Sequence, residues 1–221
     1  MFEMRYWILI TPMLCFGCAT GFVPGAPEGC IDVIAHRGAS AYAPENTLAS
    51  FKKAIDLKAD WFELDVHLTA DNKLVVIHDD ELKRITGVEG KVTEKKWKEI
   101  KDLDAGSWFS PEYKGEKLPS LEDALTVAKN KIGVYIEIKS SDNDNPILPL
   151  IVMNIAGKDK MTPELKKQLE DVIYGSKSRN ITLARETIQA VRKMKMEKQV
   201  VLQTFSPVIC FTLINEAPDL R

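Results

Sequence analysis

Hydrophobic and polar positions alternate most strictly over Trp61–Leu68, where Phe62, Leu64, Val66 and Leu68 interleave with Glu63, Asp65 and His67. A period of two is that of a β-strand, and it sets both carboxylates and the imidazole on one face. Asp71 and Asn72 then turn the chain, and the apolar run Leu74–Ile77 leads into His78 and Asp79. A half-exposed hairpin with a solvated face alternates in the same way, so the other segments have to decide between a solvent face and a site.

Those segments repeat one theme. Ile31–Ala35 reads as a short strand that ends at His36-Arg37-Gly38, with the glycine suited to a tight turn. Pro44-Glu45-Asn46-Thr47 opens a helix, capped by Asn46 or Thr47, with an apolar stripe through Leu48, Phe51 and Ile55. Between His78 and Pro119 the pattern is irregular: Thr93 is expected to cap a short helix carrying Trp97, Ile100 and Leu103, and a loop follows at Gly106–Pro111. An excursion there, off the end of a strand, is where a lid over a site would lie. Ser120-x-x-Asp123 starts a helix that ends near Asn130, and Gly133–Lys139 is again a strand, with Glu137 and Lys139 on the face opposite Ile136 and Ile138.

Residues 140–180 read as an insertion, with a helix opened by Thr162-Pro163 and carrying Leu165, Leu169, Val172 and Ile173. An amphipathic helix over Ile181–Met196, a strand at Val200–Phe205 and a helix from near Val208 complete the series. Strand followed by helix about four times over predicts an α/β fold with a parallel sheet. Ligands in such folds sit at the carboxyl ends of the strands. Three of the four strands carry ionisable groups there, at His36-Arg37, Glu63-x-Asp65 and Glu137-x-Lys139. A solvated face has no reason to repeat that placement, so a site is the better reading.

The residue types suggest its chemistry. Glu63, Asp65 and Glu137 offer oxygen ligands without cysteine or clustered histidine, which favours a hard cation, Mg²⁺ or Ca²⁺. Arg37 and Lys139 are fixed cations suited to phosphate oxygens. His36 and His78, from different strands, can supply one base and one acid near neutral pH. Together they point to cleavage of a phosphate ester. His67, which no second motif supports, is read as structural.

Composition narrows the remaining choices. With 221 residues, 45% hydrophobic and 28% charged, the chain can build one core of ordinary size. Thirty Lys and Arg against 32 Asp and Glu leave a net charge of −2, without the basic excess of a nucleic-acid binder. Arg5 followed by the apolar run Tyr6–Phe16 and small residues to Gly21 has the proportions of an export signal, and residues 20–29 read as a linker, so that residues 1–29 are leader and linker. Cys18 resembles a bacterial lipoprotein cleavage site, which would place the chain in the periplasm or anchor it to a membrane. Cys15 and Cys18 fall inside that segment, so their Cys-x-x-Cys spacing is discounted as a redox or zinc motif, and Cys30 and Cys210 can pair or stay as thiols.

Many separate motifs agree, in order, with one family. His36-Arg37-Gly38, Pro44-Glu45-Asn46-Thr47, Glu63-Leu64-Asp65-Val66 with Thr69-x-Asp71, and Val76-Ile77-His78-Asp79 resemble the glycerophosphodiester phosphodiesterases. So do Leu82-x-Arg84-x-Thr86-Gly87, Leu103–Phe109, Leu118–Glu122, Glu137-Ile138-Lys139 and Val201–Ser206. The resemblance implies a TIM-barrel-type fold, carried here through about its first four strand–helix units and incomplete at the C-terminus, within a domain over residues 30–221. It implies a small insertion at about 80–118; the insert read at about 140–180 departs from the pattern, being longer than the family usually carries there. It also implies metal-dependent hydrolysis of a glycerophosphodiester to glycerol 3-phosphate and an alcohol. Carried over by position, Glu63, Asp65 and Glu137 would hold the metal, His36 and His78 would be the acid–base pair, and Arg37 and Lys139 would grip the phosphate. Phospholipases of the C or D type with a similar fold share the histidine pair and oxygen-ligated metal. A half-domain without activity is the reading from another class.

Overall fold

The computed structural model describes residues 31–145, 147–149 and 162–221. The export and lipidation readings at residues 1–29, and Cys30, lie outside them. Four parallel strands form the frame: β1 (Ile34–Ala35), β2 (Trp61–Leu68), β4 (Gly133–Ile138) and β5 (Val200–Gln203), in the order β1-β2-β4-β5. A short antiparallel strand, β3 (Leu74–Val76), pairs with the end of β2. The helices that follow β1, β2, β4 and β5 make this a TIM-barrel-type α/β fold carried through four strand–helix units.

The solvated-hairpin reading of β2 does not hold, because every residue of that strand is buried. Its apolar face packs Phe62, Leu64, Val66 and Leu68 into one core with Val134, Ile136 and Ile138 of β4. Helix α1 (Leu48–Asp56) covers this face, with Phe51 stacked on Phe62 at 4.4 Å between ring centroids. Helices α4 (Leu121–Ala128) and α6 (Arg179–Met194) add Leu125, Leu183 and Val191. The other face carries Glu63, Asp65 and His67, which are only 6%, 1% and 4% exposed. Burying carboxylates is unfavourable unless they are paired, bonded or metal-bound, so this face marks the site.

One edge of β2 is shared by two strands. β1 pairs with its start, Ala35 opposite Phe62, and β3 runs back along its end, Val76 opposite Val66. Both strands stop short of each other. The Gly38 N–H donates to the Glu63 carbonyl at 3.0 Å and the Ile77 N–H to the Asp65 carbonyl at 3.0 Å. His36 and His78 therefore leave their strands at the same level, from opposite directions. On the other edge β4 lies in register with Asp65 opposite Glu137.

The excursion between β3 and α4 has its own small core of Val75, Ile77, Leu82, Ile85, Val92 and Ile100. It contains helices α2 (Lys83–Thr86) and α3 (Trp97–Ile100). Thr93 does not cap α3 as expected; it lies in a 3-10 turn, Val92–Glu94, and its N–H and hydroxyl both bond to the Asp80 carboxylate at 3.1 Å. Thr47, not Asn46, caps α1. Helix α5 (Pro163–Gly175) starts at the Thr162 cap as its sequence suggests and packs Leu165, Leu169 and Ile173 against Ile181 and Val208. Val208 belongs to α7 (Pro207–Glu216), capped by Ser206. Cys210 on α7 is a free thiol. Among the described residues no helix is long and apolar enough to cross a membrane.

Candidate active site

The turn after β1 is held from several sides. Arg37 and Gly38 both adopt positive φ, 55° and 74°. A side chain at position 38 would sit 2.3 Å from Ser50 Oγ, so only glycine fits between this turn and α1. The conformation aims the Arg37 N–H at Glu63 Oε2, 2.7 Å away, and leaves His36 on the open side. His36 Nε2 lies 3.9 Å from Glu63 Oε2, and the side chain is 70% exposed.

Carboxylate oxygens of Glu63, Asp65 and Glu137 lie within 4.8 Å of one another. Three buried or half-buried carboxylates this close repel strongly unless cations intervene. Lys139 supplies one: its ammonium sits 2.8 Å from Asp65 Oδ1 and is bonded to Glu137. Burial alone would lower the Lys139 ammonium's pKa; the bonds to Asp65 and Glu137 overrule it and hold the pKa above its ordinary value. Arg37 Nε is 3.7 Å from Asp65 Oδ2. Glu63 is the least compensated member. Burial first, then the charges of Asp65 and Glu137, push its pKa up to about 7. Its Oε1 is buried without a hydrogen-bond partner. An orphaned oxygen in a set of three oxygen donors fits a hard divalent cation well, since such an ion takes oxygen ligands and would satisfy that atom.

His78 reaches the site with its own support. Its Nδ1–H donates to Asp79 Oδ1 at 2.7 Å, which leaves Nε2 open. Its backbone carbonyl accepts a 3.0 Å bond from Nε2–H of buried His67. His67 thus braces the His78 backbone, and burial depresses its pKa. All seven residues picked out by sequence lie in this one region, at the carboxyl ends of β1 and β4, on the stretch of β2 between them and just past β3. Beside Glu137 and Lys139 opens a cavity of about 300 Å³, bordered by Ser140, Leu148, Phe205 and Pro207. The Phe205 side of its rim is open, with that residue 88% exposed.

Sequence reasoning missed a set of supporting residues. Asn46 bonds to Asp65 at two points, and Gln203 Nε2 donates to Glu137 Oε2 at 3.1 Å. Glu45 accepts from Arg37 Nη1 at 3.1 Å and from Arg84 Nη2 at 2.8 Å. Arg84 also grips Asp79 through Nε. Glu45, Asn46 and Arg84 lie within motifs already noted, but their roles depend on partners up to 39 residues away.

Residues 36–158 match the model of the glycerophosphoryl diester phosphodiesterase family. A glycerophosphodiester phosphodiesterase of Caldanaerobacter subterraneus subsp. tengcongensis is 50% identical over 109 residues, 49% of this chain and 45% of that protein. Among solved structures, a glycerophosphodiester phosphodiesterase of Agrobacterium tumefaciens is 30% identical, with a TM-score of 0.65 over 87% of this chain and 65% of the other. The phosphodiesterase OLEI02445 of Oleispira antarctica, solved with its product sn-glycerol-3-phosphate, is 26% identical, with a TM-score of 0.66 over 86% of this chain and 64% of its own. The chain spans less than half the length of the curated relatives it matches.

Proposed function

The chain belongs to the glycerophosphoryl diester phosphodiesterase family, and we propose from this that it hydrolyses glycerophosphodiesters to glycerol 3-phosphate and an alcohol with the help of one divalent cation, Mg²⁺ or Ca²⁺. The observation that carries the reading is the convergence of Glu63, Asp65 and Glu137 within 4.8 Å, with one oxygen of Glu63 left without a partner. Those three carboxylates would hold the ion, which when bound would draw charge from a phosphate oxygen and lower the barrier to attack at phosphorus. The product named for the Oleispira antarctica neighbour supports the same substrate class.

The chain's own residues account for the rest. Arg37 and Lys139 offset the negative charge of the carboxylates and of an incoming phosphate, which three bare carboxylates would repel. One imidazole takes a proton from the glycerol hydroxyl next to the ester; that oxygen then bonds to phosphorus as the bond to the alcohol breaks. The second imidazole gives the departing alcohol its proton. Water then opens the resulting cyclic phosphate, with the proton roles reversed. The bond from His78 Nδ1–H to Asp79 leaves Nε2 as the nitrogen for this traffic, and His36, largely exposed, is free to meet a substrate from the open side.

The test is release of glycerol 3-phosphate from glycerophosphocholine by the purified chain, with Mg²⁺, with Ca²⁺ and with chelator. Release that needs a cation and disappears in Glu63→Ala is the expected result. Release that survives chelation, or a folded chain that releases nothing with either ion, would overturn the reading.

A further inference from the structure

We propose that Arg84 is a positioning residue for His78: its guanidinium, forked between Asp79 and Glu45, ties the His78–Asp79 pair and Arg37 into one frame. Asp79 has two oxygens. Oδ1 accepts the His78 Nδ1–H at 2.7 Å, and Oδ2 is taken by Arg84 Nε, so the carboxylate cannot rotate away from the imidazole without giving up one partner. The other end of the guanidinium bonds to Glu45 through Nη1 at 3.2 Å and Nη2 at 2.8 Å. Glu45 Oε1 also accepts from Arg37 Nη1 at 3.1 Å. Five side chains from three segments are thereby linked: the turn after β1, the end of β3 and helix α2. Trp108 backs the guanidinium, its ring centroid 5.9 Å from the Arg84 central carbon, and is itself pinned by an indole N–H bond to the Ala105 carbonyl at 2.9 Å.

The charges agree with this reading. Burial pushes both Glu45 and Asp79 up, yet Arg84, with Arg37 beside the first and His78 beside the second, holds each below its ordinary range. Both therefore accept hydrogen bonds as carboxylates. A surface ion pair of this exposure contributes little to stability, and Arg84 is 42% exposed. Its worth lies in geometry. A fork of this kind fixes two planar carboxylates at once, and a lysine, with one point of charge, cannot reproduce it. With Asp79 fixed, the neutral His78 ring carries its proton on Nδ1 and presents a bare Nε2. With Asp79 free to swing, that preference is lost and the ring can turn over.

The role assigned to His78 rests on the proposed function, whereas its tautomer does not, and the experiment separates them. The 221-residue chain is labelled with ¹⁵N-histidine, and the His78 signals are assigned by their loss in His78→Gln. Spectra are taken near pH 8.5, roughly two units above the ordinary imidazole pKa. In the wild type the Nδ1–H form is expected to exceed the other by about tenfold. In Arg84→Gln that excess should fall by about fivefold or more, and in Arg84→Lys by an intermediate amount. If the chain turns over glycerophosphocholine, kcat should drop about tenfold in Arg84→Gln with KM changed less than about twofold. A wild-type ring protonated on Nε2, or a tautomer ratio unchanged in Arg84→Gln, overturns the proposal. Should Arg84→Gln fail to fold, Arg84→Lys keeps the charge and stem, and an unchanged ratio there overturns it equally. A wild type without turnover but with the expected tautomer shift would sink the function and leave the positioning role standing.

Discussion

Asn46 holds Asp65 by two bonds across 19 residues of sequence: its Nδ2–H donates to Asp65 Oδ2 at 2.8 Å, and its Oδ1 accepts the Asp65 N–H at 3.2 Å. Asn46 reaches this position because its backbone is left-handed, with φ 57°, and because its own N–H donates to the Arg37 carbonyl at 3.0 Å. Asparagine tolerates that conformation better than most residues. The Pro-Glu-Asn-Thr turn is therefore a bracket for a buried carboxylate as well as a helix start.

Asn46→Ala removes both bonds and places a Cβ-bearing residue without a polar side chain in the left-handed region. Each loss is made inside the protein, where Asn46 is 2% exposed. The expected cost is about 3 kcal/mol of stability, read from the urea midpoint. Asp65 would also lose its fixed orientation, so Mg²⁺ or Ca²⁺ affinity should fall by about 10- to 100-fold, measured by titration calorimetry. Unchanged affinity would mean that Lys139 and Arg37 orient Asp65 without Asn46.

Gly38→Ala is expected to be more damaging, for a steric reason. The new methyl group would sit 2.3 Å from Ser50 Oγ and 2.8 Å from the Ser50 carbonyl carbon, with φ at +74°. Ser50 cannot retreat freely, since its hydroxyl bonds to the Arg37 and Thr47 carbonyls at 3.1 Å and 2.9 Å. Either α1 shifts or the His36-Arg37 turn opens. A loss of about 3 kcal/mol or more is expected, and a melting temperature within a degree of wild type would contradict the stated packing.

The frame and the seven candidate residues were legible because each rests on a local pattern. Trp61–Leu68 alternates over its full observed length, and Ser120 and Thr162 cap the helices their neighbours announce. The solvent-or-site question for β2 was settled by burial, which depends on α1, β4 and the excursion together. Asn46, Glu45 and Arg84 were hidden for a related reason. A polar side chain that serves a residue 19 or 39 positions away leaves no period in the chain. Thr93 misled for the same cause: its long-range partner is Asp80, not a helix N-terminus.

Asn180 organises the segment that leaves β4 beside the site. It is fully buried, its Oδ1 accepts the Ser141 and Asp142 N–H groups at 2.7 Å and 3.1 Å, and its Nδ2 donates to Ser140 Oγ at 2.8 Å and Asp144 Oδ1 at 2.6 Å. Asn180→Ala strands several of these groups, and about 3 kcal/mol of stability should go with it. Hydrogen exchange at the Ser141 and Asp142 amides should quicken at least as much as global unfolding requires. Exchange that stays at the wild-type rate would show that the loop is held by other contacts.

The last prediction concerns pH in the metal-free chain. The Glu63 carboxyl is raised from 4.5 to about 7, chiefly by burial and then by Asp65 and Glu137. A carboxyl that holds its proton more tightly folded than unfolded favours the folded state below its unfolded pKa, and this contribution is lost as pH rises through the folded value. In chelator, then, the Glu63 contribution is fully present below about 4.5 and gone above about 7. Glu63→Gln, which cannot ionise, should flatten the stability profile across that window and be the more stable protein at its alkaline end. A divalent cation should reverse the wild-type trend, because it competes with the same proton and binds better as pH rises. The measurement is the urea midpoint of wild type and Glu63→Gln from about pH 5 to 8, with chelator and with Mg²⁺. Parallel profiles for the two proteins in chelator would place the proton elsewhere in the carboxylate cluster.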